Sequence, residues 1–336
     1  MMDKKIINSL SDISLSNIDL NIAPTKISEK NIYQIYCDNY DSIHYLFIEF
    51  QFNWLQQAYK AMKDLDKYNI LVYLYKERFV ELNEVFKVKS LNEFYINPRF
   101  DLDKINIIQV SKKLRLSKET TRRKILELEE DGILIKDKKK ISVTLKAGLL
   151  QKPENTITSF SKILQYVSWL LCKEKKVNKY YDKKFFIKKI KDRFTQILAI
   201  FLEYQIEYLL VRKTLANNDS ELFFIAGCLM YNQILFLKKT ENKKHYQKEW
   251  IDEVFNIGNK KGINAMTISD LTGIPRPTVI RKLKILLDQN DVFKDANNLY
   301  YMTKGKFVTD LNKLRLKNIK ELSTTISRIN NIIFFS

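Results

Sequence analysis

Glycine and proline are scarce here, seven and five among 336 residues, and that scarcity already removes several classes of protein. Seven scattered glycines cannot build a phosphate-cradling loop, because close backbone approach to phosphate needs glycines at fixed short spacing. The two histidines, His44 and His245, stand alone, and no His-Glu-x-x-His or Gly-x-Ser-x-Gly pattern occurs. Cys37, Cys172 and Cys228 are far apart in the chain, which argues against a disulfide framework and a paired-cysteine metal or redox motif. The start, MMDKKIINSLSDISLSNIDL, lacks the continuous apolar core and small-residue cleavage site of a secretory signal, so a cytoplasmic location is expected. The most apolar run, Leu222 to Leu237, is shorter than a bilayer-spanning helix and includes Asn232 and Gln233, which predicts a buried core helix and no membrane. Its neighbour from Ile197 to Val211 carries Glu203 and Glu207 four apart and predicts a packed amphipathic helix. The expectation is a protein that binds without catalysing, with no cofactor and no metal.

Basic residues and apolar content are what the chain has in quantity. With 45% hydrophobic residues it can bury a substantial core and is long enough for two domains. Lys and Arg number 58 against 39 Asp and Glu, a formal charge of +19, which favours a polyanionic partner. Richness in Lys, Asn and Ile can also follow from the base composition of the coding DNA, so the position of the charge has to decide.

An internal repeat supplies that position. At an offset of 158, Ile105 to Lys146 matches Ile263 to Lys304 without a gap, with ten identities in 42 positions. They include Asn106/Asn264, Ser111/Ser269, Thr120/Thr278, Arg123/Arg281 and Lys124/Lys282. Apolar character recurs at Val110/Ile268, Leu116/Ile274, Ile125/Leu283, Leu134/Val292, Ile135/Phe293 and Ile141/Leu299, so one core is specified twice. Upstream, Phe47 to Phe50 meets Gln205 to Tyr208 at the same offset, and Leu91 to Tyr95 pairs better with Ile251 to Phe255. Final helices are expected near Ile157 to Lys173 and Phe307 to Ile329. The fold class expected is mostly α with short β-hairpin wings, a tandem duplication of a helical subdomain plus a winged helix-turn-helix with pseudo-twofold symmetry. The domains expected are an N-terminal segment 1–36; a first unit 37–175 with its winged helix at 105–146; a basic connecting segment 176–195; and a second unit 196–336 with its winged helix at 263–304.

Within the first copy, Val110 and Leu114 lie one turn apart in a short helix, and Arg115 to Ser117 makes the turn. Ser117 suits the N-cap of a second helix whose Thr121, Ile125 and Leu128 face inward, leaving Lys118, Glu119, Arg122 and Arg123 outward. Gly132 suits a left-handed C-cap, and Ile133 to Ile135 with Ile141 to Val143 read as a hairpin tipped by Asp137 to Lys140. In the second copy Thr267 reads as a cap with Asp270 three residues on, Gly273 sits in the turn, and Pro275 and Pro277 open the next helix. Val279, Leu283 and Leu286 face inward, Arg276, Ile280, Arg281 and Lys284 outward. The second hairpin is read as Val292 to Lys294 with Leu299 to Met302, tipped by Asn297 and Asn298. Such a helix fits the major groove when its outer side offers donors to base edges and phosphates, and a hairpin beside it reaches the backbone or minor groove. The candidate double-stranded-DNA contacts are Ser117, Lys118, Thr120, Arg122, Arg123, Lys138, Lys139, Lys140, Arg276, Thr278, Arg281, Lys284, Asn297 and Asn298. The first copy carries 12 basic and 6 acidic residues, hence +6, and the second 6 and 4, hence +2.

VSKKLRLSKETTRRKILELEEDGILI and ISDLTGIPRPTVIRKLKILLDQNDVF resemble the winged helix-turn-helix of MarR-like and IclR-like transcription regulators. The run Leu299 to Phe307 is similar to the strand-then-helix exit after a MarR wing. The resemblance covers about 40 residues in each half; the stretch Lys76 to Lys104 is longer than the family's join, and the wing lacks its Asp-x-Arg pattern. It implies a single-chain pseudo-dimer, acting as monomer or homodimer, that reads a two-part operator, with a small-molecule effector pocket between helices. Phe50, Trp54, Tyr208 and Phe224 are candidates for that pocket, with core packing the default role of each. Two other readings stay open: a replication initiator with tandem winged helices, and an assembly protein whose winged helices dock protein. Lys173 to Arg193, with ten basic residues against three acidic ones, reads as a solvated helix or a strap on phosphates.

Overall fold

Short polar side chains set the helix starts. Ser28 accepts from the Asn31 amide at the head of α1 (Glu29–Asp38), and Asp64 accepts from Asp66 and Lys67 at the head of α3 (Leu65–Glu84), which follows the long α2 (Tyr40–Met62). A capping box of Ser90 and Glu93 begins α4 (Leu91–Ile96), and one of Asn106 and Gln109 begins α5 (Ile107–Lys113). The computed structural model describes residues 27–102, 106–137, 140–150, 153–240, 247–256 and 261–335. Over these the chain is mostly helical, with a few small antiparallel strand pairs.

After α5 come α6 (Lys118–Glu130), the strands β2 (Leu134–Asp137) and β3 (Lys140–Val143), then α7 (Leu145–Leu150) and α8 (Glu154–Lys173). β1 (Phe100–Leu102) precedes α5 and completes a three-stranded sheet in the order β1-β3-β2, with Phe100 opposite Val143 and Leu134 opposite the same residue. The second half runs in the same order: α9 (Lys183–Asp192), α10 (Phe194–Leu215), α11 (Ser220–Thr240), α12 (Gln247–Asn256), α13 (Ala265–Thr272), α14 (Arg276–Asp288), β4 (Val292–Lys294), β5 (Tyr300–Met302), α15 (Lys306–Lys313) and α16 (Arg315–Phe335). β4 and β5 form a two-stranded sheet, and a single bridge from Ile263 to Tyr300 stands where β1 stands in the first half.

The halves interlock through their long helices. α10 packs on α3 and α11 packs on α2, while α1 lies against α16 and α9 against α8. Where α2 meets α10, Gln51 and Gln205 are buried and exchange reciprocal amide bonds, each Nε2 donating to the other Oε1 at 2.9 and 2.8 Å. Aromatic rings fill the space around them: Phe50 meets Phe201 at 5.7 Å, Phe160 meets Phe201 at 4.8 Å, and Phe47 meets Tyr208 at 5.1 Å. Such rings carry most of the apolar area a helix interface buries.

Several expectations change. The final helix of the second half is two helices, α15 and α16, parted at Leu314. α1 crosses the expected boundary at residue 36, and the expected connecting segment holds α9, a packed helix. Upstream the element boundaries correspond at an offset of 154, as in Ser28 and Asp182 or Gln51 and Gln205, rather than 158. A four-residue slip is close to one helical turn, so it keeps the same face inward and is invisible to apolar pattern. Ile135 and Phe293, expected in the core, are 49% and 57% exposed. Strand alternation turns their neighbours Leu134 and Val292 inward and these two outward.

Candidate nucleic-acid interface

The first helix-turn-helix is α5, a turn and α6. Ser111 on α5 donates from its hydroxyl to the Leu116 carbonyl at 2.9 Å, closing the turn, and Arg115 takes a left-handed φ of 52° there. The Ser117 hydroxyl accepts from the Thr120 amide at 3.0 Å and donates to the Thr120 hydroxyl at 2.8 Å. Two of the expected contacts are thus committed to starting the helix. Thr121, Ile125 and Leu128 are buried, and Lys118, Glu119, Arg122 and Arg123 are exposed, because 3.6 residues per turn separates the two sets.

Not every cation of α6 faces outward. Lys124 turns to the protein, meeting Asp64 at 2.7 Å and Glu127 at 2.9 Å. Burial alone would raise the Asp64 carboxyl, but hydrogen bonds from the Lys124 side chain and from the Lys67 and Asp66 amides outweigh it and hold that group below its ordinary value. Asp64 is also the N-cap of α3, so this pair fastens the candidate recognition helix to the helix behind it. Lys67 adds a second tie to Asp131 at 2.8 Å.

The second half builds the same parts from different residues. Ser269 donates to the Ile274 carbonyl at 2.7 Å and Gly273 takes a φ of 75° in the turn, a conformation that favours glycine. Asn264, not Thr267, caps α13: its side chain accepts from the Thr267 amide at 2.9 Å, as Asn106 does from Gln109 in the first copy. Thr267 therefore sits inside the first turn, where its own amide needs the cap. On α14, Val279, Leu283 and Leu286 are buried, Arg276, Ile280, Arg281 and Lys284 are exposed, and Thr278 is half-buried. Lys282 turns inward to Asp219, with Glu221 at 4.0 Å. Asp219 accepts from the Leu222 amide at the head of α11, the place Asp64 holds at the head of α3.

Both helices therefore present three exposed cations, Lys118, Arg122 and Arg123 on α6 and Arg276, Arg281 and Lys284 on α14. Five of the six make no ion pair among the described residues, and the sixth, Arg123, lies 3.8 Å from Glu127 while its side chain stays 65% exposed. The charge difference between the copies sits elsewhere, partly in the exposed Lys112 and Lys113 at the end of α5, which sequence reasoning passed over.

The hairpins differ more than the helices. Lys140 is ion-paired to Asp101 of β1 at 2.9 Å, because the third strand brings that carboxylate across from it. Lys138 and Lys139 lie outside the described residues. In the second hairpin Asp295 organises the turn, accepting from the Asn297 and Leu299 amides at 2.9 and 2.8 Å, and Asn297 and Asn298 are exposed at its tip.

Of the rings considered for an effector pocket, Phe50, Tyr208 and Phe224 pack in the core. Trp54 lines a cavity of about 60 Å³ with Tyr68, Tyr75, Phe79 and Tyr95. The Trp54 Nε1 and Tyr75 hydroxyl are buried there without a hydrogen-bond partner among the described residues. His44 is half-buried among aromatic rings: its Nδ1 lies 3.2 Å from the Tyr36 hydroxyl, and its ring stacks on Tyr40 at 4.6 Å and meets Trp250 at 5.1 Å. Burial, with the nearby Arg212 and Arg315 guanidiniums, lowers its pKa to about 3, so the ring is neutral. His245 lies outside the described residues.

Among the described residues two helices, α10 and α11, are long and apolar enough to cross a membrane by length and composition, and 72% and 56% of their most apolar windows are buried inside the protein. No protein-family model matches the chain, and neither a curated protein nor a solved structure is similar to it.

Proposed function

We propose that the chain is a sequence-specific double-stranded-DNA-binding transcription regulator, a single-chain pseudo-dimer of winged helices that acts by binding and not by catalysis. The observation that carries this reading is the division of labour on α6 and α14. One lysine on each is held inside by the aspartate at the head of α3 or α11, and three cations on each stay in solvent. A helix that only packed would not need those outer cations, whereas a major groove lined by phosphates and base acceptors does. Tandem duplication is part of the same reading. In its support, the helices among the described residues fall into two runs of the same order. The Ser111 and Ser269 turns close on equivalent carbonyls, and the Thr144 and Thr303 hydroxyls donate to the Gly132 and Asn290 carbonyls. A pseudo-twofold through Gln51 and Gln205 would let the two readers address two half-sites about one helical turn apart.

The protein is taken to work in the cytoplasm, as a monomer or as a homodimer. A small effector would enter beside Trp54 and Tyr75, whose unpartnered donors want an acceptor. Filter binding of the full chain to random duplex DNA tests the proposal. Micromolar binding that weakens steeply with salt is expected, each phosphate contact adding about 0.9 to the slope of log K against log salt. No binding at low salt would end it in favour of protein docking. Genome-wide mapping of bound sites then separates a regulator, on two-part operators, from an initiator, on direct repeats near an origin.

A further inference from the structure

The stretch between α8 and α10 concentrates more charge than either winged helix, and the proposed reading leaves it idle. Lys173 to Arg193 carries ten basic and three acidic residues, a local +7. It is a pinned surface. Lys175 and Lys176 close the end of α8 through amide bonds to Cys172 and Leu171 at 3.0 and 2.8 Å, the Tyr181 amide donates to Ser168 at 3.0 Å, and Gln165 donates to the Tyr180 hydroxyl at 2.6 Å. Asp182 caps α9, which buries Phe186 and Ile190.

That packing leaves the lysines outside. Lys184 and Lys188 are exposed one turn apart on the face away from Phe186 and Ile190, and the half-buried Lys191 follows close to one turn further. None of the nine lysines from Lys173 to Lys191 makes an ion pair among the described residues. Three lie over rings: Lys173 over Trp169 at 5.1 Å, Lys179 over Tyr181 at 5.4 Å and Lys189 over Phe185 at 5.8 Å. Ring contacts fix where those ammonium groups sit without neutralising them.

Folding does not ask for this charge. α1 has the same ten-residue length, a polar N-cap and a buried apolar face of Ile32, Ile35 and Tyr36. Yet α1 has one lysine against Glu29 and Asp38, a charge of −1, where α9 has five lysines against Asp192, a charge of +4. Compositional bias would have loaded both. Like charges one turn apart on a helix repel, so the α9 stripe is kept at a cost to the helix.

Two observations say what it meets. α9 packs on α8, α10 and α4, whereas the candidate recognition helices rest on α3 and α11, so the stripe stands on other elements than the proposed readers. No large apolar residue from 173 to 193 is among the exposed ones. A helix that lies on a bilayer turns its apolar face outward, and α9 turns that face inward. Rows of lysine without an apolar tooth suit the phosphates of a duplex.

We propose that Lys173 to Lys191 is a second polyanion site that holds the backbone of a second DNA duplex, so that one chain bridges two. This rests on the winged-helix reading for the first duplex. The test immobilises one random duplex, adds full-length protein, and measures capture of a second, fluorescent duplex, alongside single-duplex affinity by filter binding. Wild type should capture the second duplex. Lys184→Glu/Lys188→Glu/Lys191→Glu should lower capture about tenfold while single-duplex affinity changes less than about twofold, and the triple Gln variant should do so more mildly. Thermal melts showing unchanged folding keep the Gln variant informative if the Glu variant unfolds. Capture that survives in both folded variants overturns the inference, since the two winged helices would then be doing the bridging. Equal loss of capture and single-duplex affinity also overturns it, placing the strap on the first duplex. Binding to phosphatidylserine vesicles without capture overturns it in favour of a membrane. Wild type that holds one duplex but no second overturns it while leaving the winged-helix reading intact, and wild type that holds none removes both.

Discussion

At the scale of single residues, the most informative side chains are the ones that do not face the groove. Lys124 and Lys282 sit on the candidate recognition helices but are tied to the aspartates Asp64 and Asp219 at the heads of α3 and α11. Lys124→Met should lower stability by about 1–3 kcal/mol, because it leaves a half-buried carboxylate unpaired. It should leave the salt dependence of DNA binding unchanged in protein that remains folded. Thermal melts and salt titrations of the same variant check both parts. Burial of His44 makes a second prediction. Its native pKa is lowered to about 3, so between that value and about 6.5 the unfolded chain binds a proton that the native chain does not. Stability contributed by the neutral ring is fully present above about pH 6.5 and is lost as pH falls, by about 1.4 kcal/mol per unit. His44→Phe, which keeps a ring against Tyr40 and Trp250, should flatten melting temperature between about pH 7 and 5. An unchanged slope would mean that another group sets it.

At the scale of elements, the two proposed winged helices invite unequal tests. Arg122→Glu/Arg123→Glu should weaken duplex binding at least about tenfold and reduce the salt slope by about 2, and Arg276→Glu/Arg281→Glu should weaken it less. The expected inequality comes from Lys112 and Lys113, exposed at the end of α5 before the first candidate recognition helix. At the corresponding positions of the second copy stand Asp270 and Leu271, neither of them a cation. Equal effects of the two pairs would show that the outer cations of α6 and α14 act alone. Much of this was legible beforehand. The buried Thr121, Ile125 and Leu128 and the exposed Arg122 and Arg123 follow from helical period, and the Gly273 turn from its glycine. β1 was not legible, because a strand of three residues is too short to show a period. With β1 went Asp101, and with Asp101 the ion pair that ties Lys140 to the sheet.

At the scale of the whole molecule, the halves meet on a buried amide pair set among aromatic rings. Gln51 and Gln205 satisfy one another across it, so replacing one alone leaves the other amide buried without its partner. Gln51→Leu and Gln205→Leu should each lower stability by about 1–3 kcal/mol, and the double variant by less than the sum of the two. Denaturant melts in a double-mutant cycle measure this, and strict additivity would mean the amides do not depend on each other.

The inward and outward faces of the candidate recognition helices and the surplus of lysine were decided by sequence alone, because each is a local periodicity or a count. Tertiary structure alone decided which lysines are held inside, which half each long helix leans on, and that the basic connector is a fixed surface. Those depend on partners far along the chain, such as Asp64 for Lys124 and Gln205 for Gln51, and no local pattern specifies a distant neighbour.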